Sequence, residues 1–236
     1  MKNYITSDLH ICHSNIIKYA ERVDYQPFTD ESTERMNWDI VNAINKQVPD
    51  EKDVVLWNLG DLFYGKMFTA KTLDELKAYI DVMKGKNRTL NIVLGNHDRQ
   101  FKQWADWKKL RPLTNKSSFT TIFQQLGFTN VYDRPVLFDD KIILSHEPVF
   151  LKKDSQFVNV HGHTHQIDID ESYFTWDLEN YKMDRKAYKD SGREPPPLQH
   201  KKDWENWLVD LKMYINICWD ATGYKVKDLN EIAKNL

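Results

Sequence analysis

Cysteine is nearly absent from this chain of 236 residues, which holds only Cys12 and Cys218. Two thiols at opposite ends of the sequence cannot build the disulfide framework on which small secreted domains rely. Long apolar runs are missing too, since no segment approaches the roughly 20 apolar residues needed to span a bilayer. The opening stretch, MKNYITSDLHICHSN, lacks a charged start followed by an apolar run and a small-residue cleavage site, so it does not read as a signal peptide. The cytoplasm is the simplest address, and no membrane partner is expected. Nor is there an excess of one charge: 33 Lys and Arg stand against 35 Asp and Glu, a formal net charge of -2. No global field draws the chain to nucleic acid or an anionic membrane, so a nucleic-acid partner is unsupported by net charge. The phosphate-cradling G-x-x-x-x-G-K-[ST] loop, the zinc-binding H-E-x-x-H helix and any internal repeat are also absent.

What remains is a chain with 41% hydrophobic and 13% aromatic residues, enough to bury one substantial core. Several short apolar, β-branched runs stop abruptly at polar, metal-competent residues. NYIT precedes Ser7-Asp8, DVVLWNL precedes Gly60-Asp61, and TLNIVL precedes Gly95-Asn96. KIIL precedes Ser145-His146, and FVNV precedes His161-Gly162-His163. Each has the form of a buried strand with chemistry at its C-terminal end. Between them, Thr72 with Glu75 three residues later predicts a helix start, Leu73, Leu76, Ile80 and Met83 share a face, and Gly85 predicts its stop. Residues 30–47 and the stretch through Phe119, Ile122, Phe123 and Leu126 to Gly127 read as further helices. Alternation of strand and helix predicts an α/β fold in the first half. From Tyr132 to Val149 strand follows strand, with Asp139-Asp140 as a tight turn, which predicts a second, partly antiparallel sheet. Residues 166–211 are charged and aromatic, contain Pro195-Pro196-Pro197, and read as an insertion or lid within a single domain spanning 1–236. Strand character returns at Met213–Ile217.

Seven of the eight histidines fall in four short segments: Asp8-Leu-His10-Ile-Cys-His13, Gly95-Asn-His97-Asp98, Ser145-His146 and His161-Gly-His163-Thr-His165. Only His200 lies elsewhere. Imidazole nitrogen beside carboxylate and amide oxygen favours Mn, Fe, Zn or Ni over an all-oxygen calcium site. Donors spaced two apart, as in Asp8/His10 and His163/His165, can leave one strand end or turn together. They could hold one ion or two, and Asp61 and Asn96 take the donor count beyond what a single four-coordinate ion needs.

The order D-x-H, G-D, G-N-H-D, an isolated H, then G-H-x-H resembles the calcineurin-like metallophosphoesterase superfamily, matched by residues 8, 10, 60, 61, 95–98, 146 and 162–165. The spacing of His13 resembles a bacterial and phage-like subgroup of small phosphoesterases. The resemblance extends over residues 1–165 and again at Ile215–Tyr224, and does not extend over 166–211. It implies a four-layer α-β-β-α sandwich of two mixed sheets flanked by helices. It implies two divalent ions, manganese foremost, with Asp8, His10 and His165 on the first, Asn96, His146 and His163 on the second, and Asp61 bridging both. Hydrolysis of a phosphomonoester or phosphodiester, a nucleotide or cyclic nucleotide among them, would proceed by attack of a metal-bridging hydroxide. His97 would contact the phosphoryl oxygen or protonate the leaving group, Asp98 would orient its ring, and His13, with Asn96 and His97, would contact substrate phosphate.

Other readings weigh against parts of this set. A nuclease of the same superfamily is one alternative, and a non-catalytic metal-binding scaffold is another, although such a scaffold should have lost ligands that this chain keeps. The H-x-H-x-D-H signature of metallo-β-lactamases fails at His165-Gln166. His161 reads as a structural strand residue and Cys12 as a small buried one. Trp104/Trp107 and Trp204/Trp207 read as packing surfaces. Residues 182–202, with seven basic against three acidic side chains, read as a solvated loop or a substrate-facing lid. Leu62-Phe63-Tyr64 brings no further polar group to Asp61, and Glu147 adds negative charge beside a site meant for an anion.

Overall fold

The computed structural model describes residues 1–64, 70–99, 119–149, 151, 155–165 and 211–236. The insertion at 166–211, apart from its last residue, and the four tryptophans at 104, 107, 204 and 207 lie outside the described residues.

The three predicted N-terminal strands form: β1 (Lys2–Thr6), β2 (Val54–Asn58) and β3 (Thr89–Val93). They pair in parallel, Tyr4 against Leu56 and Leu56 against Leu90, and are joined by β4 (Asn130–Tyr132) beyond β3 and antiparallel β9 (Lys227–Asp228) beyond β1. The second sheet runs β5 (Val136–Phe138), β6 (Ile142–Ser145), β7 (Val158–His161) and β8 (Tyr214–Asn216), parallel from β6 to β8 with β5 antiparallel at the edge. Asp139 and Asp140 both adopt positive φ, 50° and 55°, in the three-residue connection closed by the pairing of Phe138 with Ile142. Both sheets are therefore mixed, and helices flank them, as expected.

Alternating side chains divide the core in two. In β2, Val54 and Leu56 face a cluster with the helices, whereas Val55 and Trp57 face one between the sheets with Ile142, Leu144, Val160 and Ile217. The helix side is covered by α1 (Ile16–Tyr19), α2 (Asp30–Gln47), α3 (Ala70–Lys84) and α4 (Phe119–Leu126), and α5 (Leu229–Lys234) closes the chain. Helix α2 begins where Thr29 accepts from the Ser32 N–H at 3.1 Å, with Asp30 and Glu31 in its first turn. It buries Met36, Ile40, Val41 and Ile44, each contributing about 1.5–3 kcal/mol of hydrophobic burial. Helix α3 is already under way at Ala70, so Thr72 lies inside its first turn rather than ahead of it. Its end is as expected: Gly85 takes φ +60° and donates to the Asp81 carbonyl at 3.0 Å.

Loops at the C-terminal ends of the strands are stitched together beyond the sheets. The chain after β1 follows the chain after β2 through Asp8 N–H to Gly60 O (3.0 Å), His10 N–H to Asp61 O (2.9 Å) and Ile11 N–H to Leu62 O (2.9 Å). The turn after β8 joins them through Trp219 N–H to Ser7 O, at 3.0 Å. Chemistry-bearing residues from five strands of two sheets are thus brought to one place.

Candidate metal centre

Five of the seven expected ligands, Asp8, His10, Asp61, His163 and His165, sit in the left-handed backbone region, with φ between 47° and 71°. Non-glycine residues hold that conformation at a cost of about 1–3 kcal/mol each, and such strain concentrates where surroundings aim a side chain. Two glycines of the motifs let the strand ends close up. A Cβ on Gly95 would collide with Asp61 Oδ1, and one on Gly162 would collide with Ser7 Oγ and Asp8 Oδ2.

The donors gather in overlapping groups. Asp8, His10 and His165 offer ligand atoms within 4.8 Å of one another, as do Asp61, His146 and His163. A third group joins His10, Asp61 and His97. Asp61 connects the whole: Oδ2 lies 3.7 Å from His10 Nε2 and 3.7 Å from His97 Nε2, and Oδ1 lies 3.4 Å from His146 Nε2. Asn96 Oδ1 is 2.9 Å from His146 Nε2, whose ring is in turn 3.1 Å from His163 Nδ1. All seven expected ligands therefore share one cluster.

The surroundings tune these groups. Burial keeps His10 neutral and lowers His163 as well. Burial also opposes charge on His146, but its contact with Asp61 and the nearby charges of Asp8, Asp61 and Asp98 prevail and push it up to about 9. Asp61 is held below the usual carboxylate range, the imidazoles of His146, His10 and His97 overcoming its burial. For His165 the hydrogen bond to Asp220 overcomes burial and raises it. The donor set fits divalent ions on an observation of its own. His10 Nε2 is buried, has no hydrogen-bond partner among the described residues, and faces the carboxylates of Asp61 and, at 4.0 Å, Asp8. A buried imidazole nitrogen facing two carboxylates is a donor set that a divalent ion would satisfy.

Asp98 departs from its expected place. Its fully buried carboxylate accepts backbone N–H bonds from Leu62 (3.1 Å), Phe63 (3.4 Å) and Gly95 (2.9 Å), while His97 Nδ1 is buried with no partner among the described residues. Asp98 therefore clamps the loops after β2 and β3 to each other and does not orient the His97 ring. Burial and the charge of Asp61 push it up to about 7. The His97 backbone N–H instead donates to Asp61 Oδ1 at 2.9 Å. His13 lies beside the cluster, its Nδ1 3.1 Å from His10 Nδ1 and its ring stacked on Tyr64 at 3.9 Å, so the Leu62-Phe63-Tyr64 segment does contribute a group here. His161 is buried in β7, its Nδ1 2.8 Å from Gly162 O, outside the three donor groups. Cys12 is half-buried against the helix-side core, and burial pushes its thiol up to about 12.

Three residues that sequence patterns did not single out support the site. Asp220 accepts from His165 Nδ1 at 2.9 Å. Arg22, buried, pairs with both Asp220 oxygens at 2.8 and 3.0 Å and donates to the carbonyls of Asp8 (3.1 Å) and Leu9 (3.0 Å). Cys218 Sγ donates to Asp8 Oδ2 at 3.0 Å, and the His163 N–H reaches both Asp8 oxygens at 3.0 and 2.9 Å. Paired partners of metal ligands fix ring tautomer and carboxylate orientation.

Known proteins resemble the chain to different degrees. An uncharacterised protein of Methanocaldococcus jannaschii is 38% identical over 98 residues, 42% of this chain, and the matched part is 47% of that protein, so the chain spans about half the length of this curated relative. A crystal structure of a protein of unknown function from Aquifex aeolicus aligns over 100% of this chain and 99% of its own, with 20% identity and a TM-score of 0.47. The profile of the family described as calcineurin-like phosphoesterase matches residues 1–228, running through the insertion that the motifs left uncovered. With that profile passing through every donor segment, the chain belongs to the calcineurin-like phosphoesterase family.

Proposed function

We propose that the protein is a hydrolase of phosphomonoesters or phosphodiesters that works with two divalent ions. The observation that carries the reading is the pair of donor groups, Asp8/His10/His165 and Asp61/His146/His163, meeting at Asp61. Asp8, His10 and His165 would hold one ion, Asn96, His146 and His163 the other, and Asp61 would serve both, with manganese the first metal to supply. Such ions, about 3.5–4 Å apart in two-metal sites, supply Lewis acidity, a more acidic water and charge neutralisation for a phosphoryl group.

The chain's own residues do the rest. His10, neutral through burial, and His165, held by Asp220, present nitrogen lone pairs. The backbone bonds from His163 to Asp8 and from His97 to Asp61 hold both carboxylates in place. The His97 side chain is 24% exposed, whereas its Nδ1 is buried with no acceptor among the described residues. That asymmetry favours the tautomer with its proton on Nε2, where it can donate to a phosphoryl or leaving-group oxygen. Asp98 acts through position, keeping Gly95 and Leu62 in register.

The test is a phosphoester panel, from p-nitrophenyl phosphate through cyclic nucleotides to oligonucleotides, on protein stripped and reloaded with manganese. Metal-dependent turnover that disappears in Asp61→Ala, together with bound metal, is the expected result. An Asp61→Ala protein with full metal content and full turnover would sink the reading.

A further inference from the structure

Beside the donor cluster lies a cleft of about 160 Å³, and it carries chemistry that the metal ligands do not. One wall is His146 itself, and the rest is Val93, Leu94, Pro135, Pro148 and Val149 with Arg99, Arg134, Ser145 and Glu147. Ligand pockets usually measure about 300–1,000 Å³, so this cleft suits one end of a substrate rather than the whole. Since His146 Nε2 is 2.9 Å from Asn96 Oδ1, the cleft shares its wall with the donors at the Asn96 side of the cluster. Arg99 and Arg134 are both exposed residues of its lining. Arg99 is fixed there from two directions, its N–H bonded to Gly95 O at 3.3 Å and its Nη2 donating to Asp133 O at 3.1 Å, which leaves other donors of the five-donor fork to face a ligand. Two Arg against one Glu give the lining a net positive charge beside its apolar residues.

We infer that this cleft binds a second phosphate of the substrate, so that the compound hydrolysed is a doubly phosphorylated one. The inference rests on the hydrolase reading above for what happens to the first phosphate. Planar guanidinium groups bind phosphate oxygens in pairs, whereas the apolar lining residues accommodate the connecting carbon skeleton. A simple aryl phosphate would fill only the metal side and would leave both arginines in water.

The experiment uses the full chain loaded with manganese and titration calorimetry with thymidine 3′,5′-bisphosphate against thymidine 5′-phosphate. The bisphosphate should bind about tenfold more tightly, the gain of one good charge-assisted contact. Arg134→Ala should erase that preference and Arg134→Lys should keep part of it, while affinity for the monophosphate stays within about twofold. Turnover of p-nitrophenyl phosphate, measured separately, should be unchanged in Arg134→Ala. Equal binding of the two nucleotides by the natural protein would overturn the inference, as would a preference that survives Arg134→Ala combined with Arg99→Ala. A preference that behaves as expected in a protein without phosphoesterase turnover would leave the cleft assigned and refute the hydrolase reading alone.

Discussion

Replacing Asp220 by Asn changes one atom and should damage both stability and metal binding, for separable reasons. The side chains of Asp220 and Arg22 are each 0% exposed, and the guanidinium meets both carboxylate oxygens. Removing one partner of a buried pair leaves an uncompensated charge, which costs about 3–5 kcal/mol. The amide can still accept one bond, so Asp220→Asn belongs at the lower end, about 3 kcal/mol. That is a large share of a typical total of about 5–15 kcal/mol, and with a urea slope of about 2–3 kcal/mol/M it moves the midpoint down by roughly 1 M. His165 simultaneously loses the charged acceptor of its Nδ1–H, and loss of such a partner typically lowers metal affinity about 10–100-fold. Combining Arg22→Met with Asp220→Leu removes both charges, so stability should recover in part: apolar replacement of a buried pair is often neutral, but the Asp8 and Leu9 carbonyls lose the Arg22 donors. Metal affinity should stay low, since Asp220→Leu leaves the His165 Nδ1–H with no acceptor at that position. Urea titration and metal titration on the three proteins measure the two effects. An Asp220→Asn protein within about 0.5 kcal/mol of the natural one, or a double variant with restored metal affinity, would refute this reasoning.

Further outcomes follow from single side chains. His97→Asn should lower kcat by about 10²- to 10⁴-fold while both metals stay bound, and loss of an ion would make His97 a ligand instead. Gly162→Ala should push Asp8 aside, because the added Cβ overlaps its Oδ2, and activity should fall about 100-fold with secondary structure retained by circular dichroism. His146 is raised to about 9, so in the metal-free protein it is protonated at pH 8 and must give up that proton to bind an ion. Calorimetry at pH 8 should therefore register release of about one proton or more through the dependence of heat on buffer. The His146 contribution should vanish above about pH 10, and heats at pH 8 that are independent of buffer would contradict it.

Much of this architecture could be read from residue order because the signals were local. Each apolar run ended in donors, as Val54–Asn58 does before Gly60-Asp61, and helix α2 occupies the predicted 30–47 because its cap, acidic first turn and apolar face agree. The start of α3 lies three residues earlier than a cap at Thr72 would place it: a Thr with Glu three positions on resembles a cap, yet here the helix has begun at Ala70. The role of Asp98 was misread because adjacency to His97 suggested a bond that the helical turn at 96–99 does not make, its carboxylate pointing instead to backbone of the neighbouring loop. Arg22 and Asp220 lie 198 positions apart, and Cys218 and Asp8 lie 210 apart, so no local pattern could join them. Only the closure of the β8 turn onto the β1 loop brings those pairs together.

The most direct test of the account is anomalous diffraction from crystals of manganese-loaded protein. Two peaks are predicted, one among Asp8, His10 and His165 and one among Asn96, His146 and His163, both within coordinating distance of Asp61. A single peak, or peaks away from Asp61, would contradict a two-ion centre built on these residues.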